Sequence, residues 1–349
     1  MAKRRRSQQK QYVTIKDVAK LAETSIATVS YVLDDSKERY ISDALRARVL
    51  KAADELNYIK SGLASSLKGK ERGIIAVLTP QFENHFFLDV FIAIEKIANK
   101  YGYVLSTCNT FDDVAHEKEV LDRMIRLRAD GYIIIPTAEG AKNMEMITNH
   151  NLPFVVVERT LDGINEYDLI TSDNYEATYA ITEHLLEQGH REIGFLYWDT
   201  DVSNLYERYQ GYEQALESYG VKANQDYIRK GDITREEGAR LTQELLENNK
   251  EMTAIVFGHY ILAEGGIEYI RSKGMKIPED ISVVLVGAPD WTQMNEVKFT
   301  CARQPGDEIG KIAAKILLRR IEARDLHGEY AQEKVKSTIV FGDSVKRLK

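Results

Sequence analysis

The sequence predicts a multidomain protein in which a small all-α head, built around a helix-turn-helix, precedes a two-lobed α/β core with parallel sheets. Three observations carry that expectation. The chain has 349 residues, more than one compact domain usually holds. Its apolar residues keep helical spacing as far as Tyr58, and after Gly73 they give way to short β-branched runs alternating with amphipathic stretches. Its charge is divided as well: residues 1–72 carry 16 Lys and Arg against 9 Asp and Glu, which leaves 31 against 45 for the remainder. A basic head on an acidic body fits a chain of which only the head meets a polyanion, although a solvated basic tail would give the same total.

The head falls into three helical blocks. Ile15, Val18, Ala19 and Ala22 follow Thr14 as N-cap, with Asp17 three residues further on. Val29, Val32 and Leu33 follow Ser25, a second cap, after a short break, and Leu45, Val49, Ala53 and Leu56 follow Ser42. Three short helices, the first two separated by a tight turn, form a helix-turn-helix unit too small for much else. The head is expected over residues 12–60, behind a basic, disordered tail at 1–11.

In the core, GIIAVLTP, YVLSTCN, GYIIIP and PFVVVE read as strands separated by helices over 87–100, 114–128 and 140–149. A second series follows: DLITSD, REIGFLYW, TAIVFG and ISVVLV, with helices near 175–188, 207–219, 235–248 and 263–272. Continuous apolar strands alternating with helices indicate parallel sheets covered on both faces. Two such series imply two lobes, with a cleft at the carboxyl ends of the strands. Lobe 1 is expected over 73–172 and 303–330, and lobe 2 over 173–302 and 331–349.

Composition and motifs narrow the chemistry. With 44% hydrophobic residues and no apolar run near the ~18 residues of a membrane span, no membrane segment is expected. The start MAKRRRSQQKQ is basic but has no apolar stretch behind it, so no secretory signal is expected and the protein should remain cytoplasmic. Cys108 and Cys301 are too few for a disulfide framework and read as buried free thiols. No GxGxxG, GxxxxGK[ST], HExxH, CxxC or GxSxG occurs, and the seven histidines show no ligand spacing. An enzyme has no motif to stand on: no catalytic residue, metal or cofactor is expected.

The stretch VTIKDVAKLAETSIATVSYVLDD, the third helix and LNYIKSGLASSLKGK closely resemble the DNA-binding head of the lactose-repressor (LacI/GalR) family. ENHFF, SDNYEATYAITEHLLEQGHREIGF, ERYQGY, IPEDISVV and ARQP resemble that family's periplasmic-binding-protein-like core, so the resemblance covers nearly the whole chain. It implies a sequence-specific DNA-binding transcriptional regulator, a repressor of carbohydrate or related metabolic genes, acting as a homodimer on double-stranded operator DNA. A small-molecule effector between the lobes, a sugar, sugar phosphate or nucleoside, would control it. The alternatives are a regulator governed by a partner protein and, less compatible with the basic head, a sugar-binding transport receptor.

On that resemblance, Ile26, Ala27 and Tyr31 face the major groove, while Thr14, Ser25, Thr28 and Ser30 offer hydroxyls to phosphates and bases. Tyr31 stands where an arginine is common, which alters the guanine preference expected there. Residues 61–72 resemble the hinge helix and linker. Leu67 matches the leucine that wedges into the minor groove, with Ala64 beside it and Lys68 available for phosphate. Lys60 and Gly62 replace the family's common proline and alanine.

The effector-binding candidates are Asn84, Phe86 and Phe87 after the first strand, Thr137 after the third, Glu158 after the fourth, and Arg208 opening a helix of lobe 2. Aromatic faces stack on a ligand ring, and a guanidinium binds oxygens through parallel hydrogen bonds. His259 and Tyr260 stand where the family commonly has an Asn-Asp pair, and Gly287 lies near the position of a further Asp. Losing those carboxylates weakens the case for an ordinary monosaccharide and favours an anionic or aromatic, less hydroxylated ligand. Trp198 and Trp291 are either further stacking surface or simply core.

Overall fold

The computed structural model describes residues 13–33, 41–59, 72–198, 202–323 and 328–348. It divides into two compact units, Met1–Arg72 and Gly73–Lys349.

In the first unit, α1 (Ile15–Leu21), α2 (Ile26–Leu33) and α3 (Asp43–Glu55) enclose a small core centred on Val18, Ala22, Val29 and Val49. Each helix starts where its cap predicts. The backbone amide and hydroxyl of Thr14 both donate to the Asp17 carboxylate, at 2.8 and 2.7 Å. Ser25 Oγ accepts from Thr28 N at 3.1 Å, and Ser42 Oγ accepts from Leu45 N. The turn between α1 and α2 reverses at Glu23, in the left-handed region at φ 48°.

The second unit holds two six-stranded sheets. The first takes β1 (Ile74–Thr79), β2 (Val104–Asn109), β3 (Gly131–Ile134), β4 (Phe154–Val157), β5 (Asp168–Ser172) and β11 (Gln332–Val335), in the order β11-β5-β4-β3-β1-β2. The second takes β6 (Ile193–Trp198), β7 (Ile228–Gly231), β8 (Ala254–Phe257), β9 (Ser282–Val286), β10 (Thr300–Arg303) and β12 (Thr338–Val340), in the order β12-β10-β9-β8-β6-β7.

Helices cover both faces of each sheet, which is why the central strands are apolar throughout. In lobe 1, α4 (His85–Lys100) and α12 (Gly306–Ala323) cover Ile75, Val77, Ile133 and Val155. On its opposite face, α5 (Val114–Arg126) and α6 (Ala141–Thr148) cover Ala76, Leu78, Tyr132 and Ile134. Lobe 2 is dressed likewise by α7 (Asn174–Glu187) and α8 (Ser203–Ser218) on one side and α9 (Arg235–Asn248) and α10 (Tyr260–Ser272) on the other, with α11 (Trp291–Met294) near its edge. No described helix is long and apolar enough to cross a membrane.

The chain passes between the lobes three times, after Ser172, after Arg303 and after Val335. The last crossing corrects the expected boundary at 330/331, since Gln332–Val335 pairs in parallel with β5 and belongs to lobe 1. It also makes β12 antiparallel to β10, the exception to the expected parallel sheets. The reason is geometric: β11 runs toward the cleft, and β12, two residues later, enters lobe 2 from the cleft side. Cys301 is buried, as expected, whereas Cys108 on β2 is only half-buried.

Candidate functional site

In the head, the start of α2 is an open apolar surface. Ile26 is 45% exposed and Ala27 is also exposed, whereas Val29 and Val32 on the same helix are buried. The N-terminal turn of α2 is thus open while the opposite side packs. The hydroxyls of Ser25 and Thr28 lie 2.8 Å apart and bond one another, and Ser30 and Tyr31 are half-buried. Thr14 is exposed but bonded to Asp17. Ala64, Leu67 and Lys68, with Lys60 and Gly62, lie outside the described residues.

In the core, side chains from both lobes converge at the carboxyl ends of the strands. Lobe 1 supplies Gln81, Asn84, Phe86, Phe87, Glu158 and Arg159, and lobe 2 supplies Trp198, Asn204, Leu205, Arg208, Ile233 and His259, with Gln304 at the second crossing. They enclose a cavity of about 40 Å³. That is room for a few waters.

Arg208 on α8 is 3% exposed. Its Nε donates to Asn174 Oδ1 at 2.8 Å and its Nη1 to Gly258 O at 2.7 Å. Burial draws its pKa down to about 10, against the pull of Glu158 and Glu207, so it stays charged at neutral pH. Two of its five donors are thus spent on holding the ends of β5 and β8 together.

Glu158 follows β4 in the left-handed region at φ 68°, a backbone cost of about 1–3 kcal/mol for a non-glycine residue. Its buried carboxylate offsets that cost with four donors. Oε1 accepts from Ser172 N and Ser172 Oγ, each at 2.6 Å, and Oε2 accepts from Asn204 at 3.2 Å and Asn174 at 3.5 Å. The guanidinium of Arg159 donates to both oxygens of Asp112 and to Pro136 O, and it stands over the Trp198 ring at 5.7 Å.

His259 caps α10: its Nδ1 accepts from Ile261 N at 3.2 Å. Burial, reinforced by the charge of Arg208, holds its pKa down at about 3, so the ring is neutral. Asn84 caps α4 in the same way, its Oδ1 accepting from Phe86 N.

Two expected cleft residues lie elsewhere. The amide of Thr137 donates to Glu117 Oε2 at 2.7 Å, in a buried cluster with Asn143 beneath the end of β3, because Glu117 is the acceptor that satisfies this turn. Tyr260 is outside the lining as well. Its hydroxyl donates to Glu83 O and accepts from His85 N across the lip of the cleft, and its ring occupies the space a side chain at position 287 would need. A Cβ on Gly287 would come within 2.8 Å of that ring, which explains the glycine opposite the tyrosine. Trp291 packs on Phe299 in lobe 2 rather than in the cleft.

Arg159, Asn174, Asn204 and Gln304 were not expected here. Gln304 lies in the ARQP motif and Asn174 in the SDNYE block, so a signal existed for these two, whereas Asn204 has none in the sequence. Among the described residues no group of three or more His, Cys, Asp and Glu side chains is arranged to hold a metal.

Residues 14–61 match the family described as bacterial regulatory proteins, lacI family, and residues 72–344 match the periplasmic binding proteins and sugar binding domain of LacI family. The chain belongs to the LacI family. Among LacI-family relatives, the HTH-type transcriptional repressor PurR of Aliivibrio salmonicida is 32% identical over 336 residues, covering 96% of this chain and 99% of that one. The ribose operon repressor of Halalkalibacterium halodurans is 31% identical over 313 residues, covering 90% and 92%. The lac repressor dimer bound to operator and the anti-inducer ONPF superposes with a TM-score of 0.83 at 24% identity, over 96% of this chain and 100% of that one, a likeness of fold. These relatives are transcriptional regulators, and this LacI-family chain is a DNA-binding regulator rather than an enzyme.

Proposed function

We propose that the chain is a cytoplasmic homodimeric repressor of carbohydrate or related metabolic genes, whose paired heads bind a pseudopalindromic operator and whose cleft takes a small-molecule effector. The convergence of Glu158 from lobe 1 with Asn204, Arg208 and His259 from lobe 2, beside Phe86, Phe87 and Trp198, carries this reading. Such a junction combines apolar faces with a few fixed polar groups, the usual make-up of a ligand site.

Homodimerisation is supported by lobe 1. There Phe82, Leu88, Ile92 on α4 and Val104 at the start of the edge strand β2 remain exposed, an apolar face suited to cover by a second copy. One head buries too little surface for useful specificity, and two linked half-sites gain through effective concentration. Ile26, Ala27 and Tyr31 would then read bases, Thr14, Ser25, Thr28 and Ser30 would contact phosphates or bases, and Ala64, Leu67 and Lys68 would engage the minor groove at the centre. Effector binding changes the angle between the lobes and so the spacing at which the dimer presents its heads.

The small volume of the cleft favours a second reading, control by a partner protein. A thermal-shift panel of sugars, sugar phosphates, nucleosides and organic acids decides between them, since a ligand of the folded core raises its melting temperature through RT ln(1 + [L]/Kd). A shifted melt, with a matching change in affinity for operators selected from random duplexes, is the expected result. A panel without any shift, in a protein that still selects a pseudopalindrome, would replace the effector with a protein partner.

A further inference from the structure

Resting on the cleft as an effector site, we infer that His259 is its specificity-determining residue: a fixed, neutral hydrogen-bond donor that selects ligands presenting an acceptor, such as a carboxylate, phosphoryl or carbonyl oxygen, over ligands presenting a hydroxyl proton.

The orientation of the ring follows from its cap. Ile261 N donates to Nδ1, so that nitrogen carries the lone pair and the proton of the neutral ring resides on Nε2. The ring cannot readily turn over, because it stacks on Tyr260 at 4.8 Å with 26° between the planes, and Tyr260 is itself tied to Glu83 and His85. Nε2 has no hydrogen-bond partner among the described residues, while the side chain lines the cavity. Protonation would not make the site an acceptor either, since it would only add a second donor beside Arg208, whose Nη1 bonds the carbonyl of the preceding residue, Gly258.

The rest of the lining offers few side-chain acceptors to answer a hydroxyl proton, namely the amide oxygens of Asn204, Gln81 and Gln304, of which Asn204 Oδ1 is buried without a partner among the described residues. Glu158 is the carboxylate among the described residues of the lining, and both its oxygens already accept, from Ser172, Asn174 and Asn204. Asn84 Oδ1 is engaged by Phe86 N. A polyol with more hydroxyl protons than those amide oxygens can accept would bury the surplus without partners, at a cost comparable to a lost hydrogen bond for each. A ligand with acceptor oxygens would meet the Nε2–H of His259 and the remaining donors of Arg208.

The test uses the full-length protein and exchanges donor for acceptor at one position. In His259→Asp the carboxylate still caps α10 through the Ile261 amide, so the fold is kept while the group facing the cavity becomes an acceptor. Binding of D-glucose and D-gluconate, and of D-ribose and D-ribose 5-phosphate, is titrated calorimetrically into both proteins. Wild type should prefer the acid or phosphate of each pair, and in the variant the ratio should move toward the neutral sugar by about tenfold or more, the equivalent of one hydrogen bond. The ¹⁵N resonances of the wild-type imidazole should show Nδ1 unprotonated from pH 8 to pH 5. Binding with the same ratio in both proteins, or a protonated Nδ1, overturns the role of His259 and leaves the cleft as the effector site. If no probe binds either protein while the nitrogen resonances are as described, the cleft itself is not the effector site, and the inference falls with that reading.

Discussion

Arg208 shows how a candidate ligand-binding side chain also serves the scaffold. Its guanidinium bonds Asn174 and Gly258 in a buried setting, so Arg208→Ala strands two acceptors as well as removing the charge. Equilibrium denaturation of the variant should show a loss of about 2–3 kcal/mol even without ligand. Arg208→Lys should recover only part of it, since an ammonium cannot reproduce the fork; an unchanged midpoint would mean the hydrogen bonds carry no net stability. Three buried or half-buried histidines predict a pH response of known sign. Burial holds His184, His190 and His259 below the ordinary imidazole value, so below about pH 6.5 the unfolded chain binds protons that the folded one refuses, and stability falls with falling pH. Glu117, pushed up by burial, works in the opposite sense. Denaturation at pH 7.5 and pH 5.5 should therefore show a weaker fold at the lower value, and His259→Gln should reduce that difference; equal stabilities would contradict the neutral state of these rings. The sequence carried Asn84, Phe86, Phe87, Glu158 and His259 to the cleft, because each follows a strand or opens a helix at its expected place, whereas Arg208 reaches it from the second turn of α8, which starts at Ser203 rather than near 207. Thr137 satisfied the same rule and failed, since the rule says which residue ends a strand and not which buried acceptor claims it.

Among the elements, the pairing of α9 with α10 depends on an absent side chain. A Cβ on Gly265 would come within 1.8 Å of the Arg235 carbonyl oxygen, and one on Gly238 within 2.3 Å of the Leu262 carbonyl oxygen. The two helices are closer than any other residue permits at those points. Gly265→Ala should cost about 1–3 kcal/mol or more by forcing them apart, where alanine would otherwise favour the helix, and thermal melting is the check. A rise in melting temperature would mean the helices are free to separate. The central strands and most helices were legible because burial on both faces leaves continuous apolar runs. The edge strands β7, β11 and β12 were not, since IRKG, QEKV and TIV are half-exposed and carry no clear period. No helix was expected over Gly306–Ala323, although its apolar residues recur at helical spacing; it lies in the segment that returns to lobe 1, where the alternation of strand and helix is interrupted.

For the whole molecule, the two compact units predict separable activities. Removing residues 1–72 should leave a core that melts cooperatively and keeps its ligand-induced shift but retards no duplex DNA, while the intact protein binds with a steep negative dependence on salt, as basic side chains release counterions from phosphates. Specific retardation by the truncated core would place DNA affinity outside the head. The three crossings after Ser172, Arg303 and Val335 bear on what the core can report. One tether would let the lobes swing and twist independently, whereas three tethers restrict their relative motion. Two of them are also fastened together, since Gln304 Nε2 donates to Ser172 Oγ at 3.4 Å while the same hydroxyl donates to Glu158. The cleft floor and two of the tethers between the lobes are thus one bonded unit. Whatever occupies the cleft beside Glu158 therefore bears on those tethers through the hydroxyl of Ser172, without passing through the body of either lobe.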